Sequence, residues 1–263
     1  MTDLTDIDGL WCRRFHPAPD AAARLVCFAH AGGSASFWFP VSSALSPQVD
    51  VLAVQYPGRQ DRRTEPVIDD IGVLADRVYE ALAGWADRPM TFFGHSMGAI
   101  VAFEVARRFE RDGTVPVRLF ASGRRAPTRY RDENVHRRDD AGVIAEVQAM
   151  SGTDARVLGD PELLHMILPA LRGDYRAVER YRSSPEHRLA CPISVLVGDS
   201  DPRTTLEEAQ DWARHTSGGF DLRVFEGGHF YLSQRAPQVL EVLRRHFAEA
   251  GTAPGPVAGL RHA

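Results

Sequence analysis

Short apolar runs alternate along this chain with longer stretches whose apolar positions recur every three or four residues. The runs are Leu25–Ala29, Val51–Val54, Met90–Phe93, Val117–Ala121, Ile193–Val197 and Leu222–Phe225. Each is too short for a helix and apolar on successive positions, as a strand buried on both faces must be. Between them, the periodic stretches Asp69–Trp85, Met97–Arg111, Leu206–His215 and Pro237–Glu249 predict helices. A shorter mixed run, Leu10–Phe15, predicts an edge strand. The repeated alternation predicts an α/β fold, with a mostly parallel central sheet and helices on both faces. Right-handed crossovers then bring the C-terminal strand ends and their loops to one edge of that sheet.

The alternation fails over residues 128–190, which read as helices without strands. This stretch is rich in arginine, with an apolar cluster at Leu163, Leu164, Met166, Ile167, Leu168 and Leu171. A plain crossover of two long helices would also look like this, but the length favours an insertion lying over the strand ends as a lid. The expected organisation is a core of residues 1–127 and 191–250 with a helical lid insertion at 128–190. Residues 251–263 carry Gly and Pro without periodicity and predict a disordered tail.

The chemistry concentrates at Gly94-His95-Ser96-Met97-Gly98. An apolar strand pattern ends just before it, and a helix pattern with Ile100, Val101, Val105 and Phe109 on one face begins just after it. Strand, sharp turn and helix around one serine is the context of a G-x-S-x-G nucleophile elbow. Side chains at Gly94 or Gly98 would collide with the neighbouring strand and helix. Without that context, the pentapeptide would be an ordinary Gly-rich turn with a surface serine.

A serine hydroxyl needs a base within hydrogen-bond reach, and the base needs an orienting acid. Gly198-Asp199-Ser200-Asp201-Pro202 follows one late strand pattern, and Glu226-Gly227-Gly228-His229-Phe230 follows the next. His229 is the strongest base, because two glycines before it permit close approach. His187, His215 and His246 fall in helical or polar stretches and read as solvated. His30 and His95 flank functional turns and read as buttresses. The acid is open between Asp199 and Asp201. Asp201, further past the strand and before Pro202, is preferred, and Asp199 reads as a loop or capping residue. A tetrahedral oxyanion needs two backbone N–H donors. Met97 supplies one, and Ala31, in His30-Ala31-Gly32-Gly33-Ser34 after an early strand, is the candidate for the other.

Composition narrows the chemistry further. All 31 basic residues are arginine, so no Schiff-base, pyridoxal-phosphate or P-loop lysine exists here. The net charge of −4 gives no reason to expect nucleic acid, and no apolar run reaches the roughly 18 residues of a membrane span. The acidic, polar N-terminus lacks signal-peptide character, so a cytoplasmic protein is expected. Cys12, Cys27 and Cys191 are widely spaced and odd in number, without a C-x-x-C pattern. Cys27 and Cys191 read as buried structural thiols.

Phe28–Ala35, Tyr56-Pro57-Gly58-Arg59, Phe93–Ala99 and Gly227-Gly228-His229-Phe230-Tyr231 together resemble the type II thioesterases of polyketide and nonribosomal peptide synthesis. The resemblance covers roughly residues 10–247. It implies an α/β-hydrolase fold with a helical lid, a Ser96, Asp201, His229 triad, and Ala31 and Met97 as oxyanion donors. It implies no metal and no cofactor. The implied partner is an acyl carrier protein or peptidyl carrier protein bearing acyl-phosphopantetheine, and the implied role is editing of stalled or misloaded acyl units. Arg124, Arg125, Arg129, Arg131, Arg137 and Arg138 could meet an acidic carrier surface. A carboxylesterase or acyltransferase on the same scaffold, or a non-catalytic binding protein of that fold, are the competing readings.

Overall fold

Seven strands form one sheet: β1 (Cys12–Arg13), β2 (Arg24–Phe28), β3 (Asp50–Val54), β4 (Met90–His95), β5 (Arg118–Ser122), β6 (Ile193–Gly198) and β7 (Phe220–Phe225). They lie in the order β1-β3-β2-β4-β5-β6-β7 in this computed structural model, which describes residues 9–150 and 161–252. Every neighbouring pair is parallel except β1 and β3, where Cys12 opposes Val54. From β2 the chain first adds β3 on one side, then crosses to β4 on the other. The winding therefore reverses between β2 and β4. In an open α/β sheet that reversal leaves a crevice beyond the C-terminal strand ends. The loops that leave β2 and β4 carry Ala31 and Ser96.

Alternate residues of β2 show why the strand sequences are apolar throughout. Leu25 and Cys27 join one core with Val51, Ala53 and Phe93, while Val26 and Phe28 join another with Leu52, Val54 and Phe92. Successive side chains point to opposite faces, and both faces are covered. The helices are α1 (Phe39–Leu45), α2 (Ile71–Leu82), α3 (Met97–Arg111), α4 (Asp140–Ala149), α5 (Pro161–Arg180), α6 (Leu206–Gln210), α7 (Tyr231–Gln234) and α8 (Ala236–Thr252). Ile71, Leu74 and Val78 of α2 and Ile100, Val101 and Val105 of α3 fill one core. Leu45 of α1 and Val239 and Leu243 of α8 fill the other.

The departures from the sequence reading are local. The edge strand is two residues rather than Leu10–Phe15. The helix expected over Leu206–His215 is α-helical only to Gln210 and then tightens into a 3₁₀ turn, Asp211–His215. Helix α1, with the 3₁₀ turn Ala35–Trp38 before it, lies in an aromatic and serine-rich stretch too short to show a period. Helix α8 runs on through Thr252, past the expected start of the tail; residues 253–263 lie outside the described residues. Between β5 and β6 the described residues hold α4 and α5 and no strand. Val135, Val143, Val147, Leu168, Leu171 and Tyr175 give them a small apolar cluster of their own. Of the predicted cluster, Leu168 and Leu171 are buried there, whereas Met166 is exposed.

Candidate active site

Ser96 sits between β4 and α3 with φ 55° and ψ −118°, a conformation that L-residues rarely adopt. The crowding around it explains the two glycines of the turn. A Cβ on Gly94 would lie 2.2 Å from the carbonyl oxygen of Gly98, and one on Gly98 would lie 2.2 Å from that of Phe28. The Ser96 N–H donates to the Ser122 carbonyl (2.8 Å), which pins the turn to the end of β5. Ser96 caps α3, so its hydroxyl sits at the electropositive helix end.

Three loops converge on this hydroxyl. His229 Nε2 lies 3.0 Å from Ser96 Oγ. His229 Nδ1 lies 3.0 and 2.9 Å from the two carboxylate oxygens of Asp201. Asp201 is in turn held by the Arg203 N–H, which donates to Oδ1 at 2.7 Å. The side chains of His229 and Asp201 are almost wholly buried, at 2% and 0% exposure. With Nδ1–H given to the carboxylate, Nε2 is left as the acceptor facing the serine, the tautomer a general base requires. The sequence left Asp199 open as the acid. It instead accepts from the Gly227 N–H (3.0 Å) and the Ser200 hydroxyl (2.8 Å). The Gly227 bond, foremost, lowers its carboxyl below the usual range.

Ala31 and Met97 flank the serine, and among the described residues neither N–H donates to a protein acceptor. Both line a cavity of about 30 Å³ together with Ser96, His229, Met150, Tyr175 and Val178. A larger cleft, about 680 Å³, opens on the far side of Ala31 and His30, between residues 32–37 and Met166, Ile167 and Ala170 of α5. The segment between β5 and β6 therefore walls both spaces.

His30 and His95, read as buttresses, pack beside the site. His95 Nδ1 lies 3.0 Å from Ser122 Oγ, which lies 2.7 Å from the Tyr231 hydroxyl. The His95 ring packs against His229 at 5.1 Å between centroids, and His30 packs edge-on to Phe230 at 4.8 Å. The tyrosine of this network was visible only as part of a motif. The reading of His215 and His246 as solvated is wrong. His215 is buried and bonds Thr128 Oγ1 (2.9 Å), and His246 bonds Thr91 Oγ1 (2.8 Å) from α8. Both lie on helical faces that turn inward, which a single histidine cannot announce. All three cysteines are buried.

Burial, ahead of neighbouring positive charge, lowers His30 to about 3 and His246 to about 4, and holds His95 well below the ordinary value of 6.5. These rings are neutral in the folded protein, while in the unfolded chain they take up protons near pH 6.5. Between those values the unfolded state binds more protons, so stability falls as pH falls. The melting temperature is expected to decline from about pH 6.5 downward. A melting temperature constant from pH 7 to 4.5 contradicts this.

The arginines proposed for an acidic surface are mostly committed internally. Buried Arg125 forks onto Glu133 (3.1 and 2.9 Å), Arg131 onto Glu208, and Arg138 bonds Glu146, while Arg129 pairs with Asp211 and Glu207. Arg137 is exposed. Arg124 lines the cavity beside Ser96, and its Nε is sealed from water without a partner. Burial and the adjacent Arg125 charge lower it to about 9. Among the described residues no cluster suited to a metal occurs, and no helix is long and apolar enough to cross a membrane.

A thioesterase domain model matches residues 23–247. The probable cadicidin biosynthesis thioesterase of Streptomyces griseus is 55% identical over 239 residues, 91% of this chain and 66% of that protein. Thioesterase PikA5 of Streptomyces venezuelae is 50% identical over 258 residues, 97% of this chain and 92% of that one. Among solved structures, the type II thioesterase BorB from the borrelidin biosynthetic cluster superposes with a TM-score of 0.86 at 48% identity, over 90% of this chain and 98% of its own.

Proposed function

The chain belongs to the thioesterase family, with the type II thioesterases of polyketide and nonribosomal peptide clusters, and on that premise we propose its substrate and mechanism. It hydrolyses acyl groups from the phosphopantetheine arm of an acyl or peptidyl carrier protein, and in doing so clears stalled or misloaded units. The observation that carries this reading is the unbroken relay from Ser96 Oγ through His229 to Asp201. The pantetheine arm enters by the larger cleft beside Ala31, and residues 128–190 act as the lid over it. The carrier partner places the enzyme in the cytoplasm.

His229 Nε2 takes the Ser96 proton as Oγ attacks the thioester carbonyl. The Ala31 and Met97 N–H groups receive the resulting oxyanion. The C–S bond breaks, the leaving sulfur takes the proton from His229, and the acyl group remains on Ser96. Water, deprotonated by His229, then attacks the ester; the carboxylic acid leaves and Ser96 regains its proton. Each step moves one proton between the serine, the imidazole and a leaving or entering group.

The test is a comparison of kcat/KM for acyl-carrier protein, the same acyl group on free pantetheine, and the corresponding ethyl ester. The carrier-bound thioester is expected to be hydrolysed at least about tenfold more efficiently than either, the signature of remote binding energy used at the reacting centre. An equal or higher value on the simple ester would make the protein a carboxylesterase. Transfer of the acyl group to an added alcohol in preference to water would make it an acyltransferase.

A further inference from the structure

Asp174 of α5 is distant in sequence from every motif described above, yet it touches the loop that carries Ala31. Its Oδ2 accepts from the Gly32 N–H at 2.7 Å. The same carboxylate receives both ends of the Arg59 guanidinium, Nη1 to Oδ2 at 2.7 Å and Nη2 to Oδ1 at 2.9 Å. Arg59 Nη1 also donates to the Gly33 carbonyl at 3.1 Å, and its Nε to that of Pro57 at 3.3 Å. The two side chains are 1% and 7% exposed.

The loop between these contacts is a tight turn. The Gly33 N–H donates to the His30 carbonyl at 2.9 Å, and Gly32 has φ +73°. A positive φ at the third position marks a turn whose central peptide is flipped relative to the commoner type. That central peptide, Ala31–Gly32, presents the N–H that Asp174 binds. Leu171, one helical turn before Asp174, packs on the same glycine so closely that a Cβ there would lie 2.4 Å from its Cδ2. On the far side Gln55 Oε1 accepts from the Ala35 N–H at 2.7 Å. The turn is thus held from the sheet by Arg59 and Gln55 and from above by α5.

We infer that Asp174 and Arg59 are positioning residues for the oxyanion donor, so that the helix over the site sets the orientation of the Ala31 N–H. The inference rests on Ala31 serving as that donor. A surface loop needs only water to satisfy its amides. This one instead receives a desolvated carboxylate and a bidentate guanidinium from elements 115 residues apart. A hydrogen bond that fixes the peptide next to a catalytic amide acts on the transition state, because the oxyanion forms only there. Disturbance of the clamp therefore lowers kcat and leaves KM nearly unchanged. The geometry also means that α5 cannot move off the site without releasing Gly32.

The full chain carrying Asp174→Ala, Asp174→Asn, and Asp174→Ala with Arg59→Ala is compared with the parent. Removal of one member strands a buried charge and lowers the melting temperature, whereas removal of both relieves much of that cost. In the double variant the melting temperature is expected to recover relative to Asp174→Ala, while kcat on propionyl-pantetheine stays about 10- to 100-fold down and KM moves less than about threefold. Phosphonylation of Ser96 by a fluorophosphonate should slow in parallel. Recovery of kcat together with the melting temperature overturns the inference and leaves a purely structural ion pair. Should the double variant not fold, Asp174→Asn decides: parental kcat at a lowered melting temperature overturns it. A parent that hydrolyses no thioester sinks the proposed function instead, and the phosphonylation rates still test the clamp.

Discussion

Ser96→Ala is expected to lower turnover of an acyl thioester by roughly 10⁶-fold in kcat, near the level left by removal of a whole triad. The expectation follows from the relay: without Oγ, His229 Nε2 has no proton to take and no covalent intermediate can form. The fold should be indifferent. Ser96 already occupies φ 55°, and alanine meets the same backbone cost there. The bonds that hold it in the turn, from its N–H to the Ser122 carbonyl and from the Ala99 N–H to its own carbonyl, are backbone bonds that the substitution keeps. A melting temperature within about 2 °C of the parent, with no burst of released thiol, is the expected pair of results. Turnover within tenfold of the parent removes Ser96 as the nucleophile. Loss of fluorophosphonate labelling in this variant, against labelling of the parent, separates an enzyme from a binding protein of the same fold.

The next largest effect is expected from Asp201→Asn, about 10⁴-fold in kcat. Asparagine is nearly isosteric, and its carbonyl oxygen can still accept from the Arg203 N–H, so the loop remains in place. Its amide N–H, however, faces His229 Nδ1 as a donor. The imidazole must then carry its proton on Nε2, where it confronts Ser96 as a second donor instead of an acceptor. Geometry is preserved and the base is lost. Steady-state kinetics of the variant and the parent at pH 8 provides the check. If Asp199→Asn rather than Asp201→Asn lowers kcat by this amount, the acid has been misassigned.

Both substitutions probe residues that could be named from the chain alone, and the reason is local. An elbow demands glycines at fixed offsets from its serine, because the backbone of Gly98 and Ala99 fills the space beside Gly94 and the end of β2, at Phe28 and Ala29, fills the space beside Gly98. A base that must reach over a strand end requires a loop with little bulk, and Gly227-Gly228 precedes His229. The mostly parallel sheet also followed from continuous apolar runs, since both faces of the sheet are covered, whereas the order of its strands did not. The choice between Asp199 and Asp201 was narrower. Both follow β6 within four residues, and only the course of the loop, with Asp199 turned to the Gly227 N–H, distinguishes them.

Other features had no local signature. Arg59 belonged to a motif without an evident task, and Asp174 was one acidic residue in an arginine-rich helix. The arginines that could meet a carrier surface also form ion pairs across loops, such as Arg125 with Glu133 and Arg131 with Glu208, which no spacing announced. His215 and His246 were assigned to water because their packing partners, Thr128 and Thr91, lie 87 and 155 residues away.

The chain by itself thus announced the sheet, the elbow at Ser96 and the loops that carry Asp199, Asp201 and His229, because each shows as a periodicity or a glycine pattern within a few residues. Tertiary structure alone decided which carboxylate meets the imidazole, which arginines pair across loops, and that a helix 142 residues beyond Gly32 holds the turn beside Ser96. Those outcomes depend on charges and amides that become neighbours only when water is excluded between them, and no spacing along the sequence records that meeting.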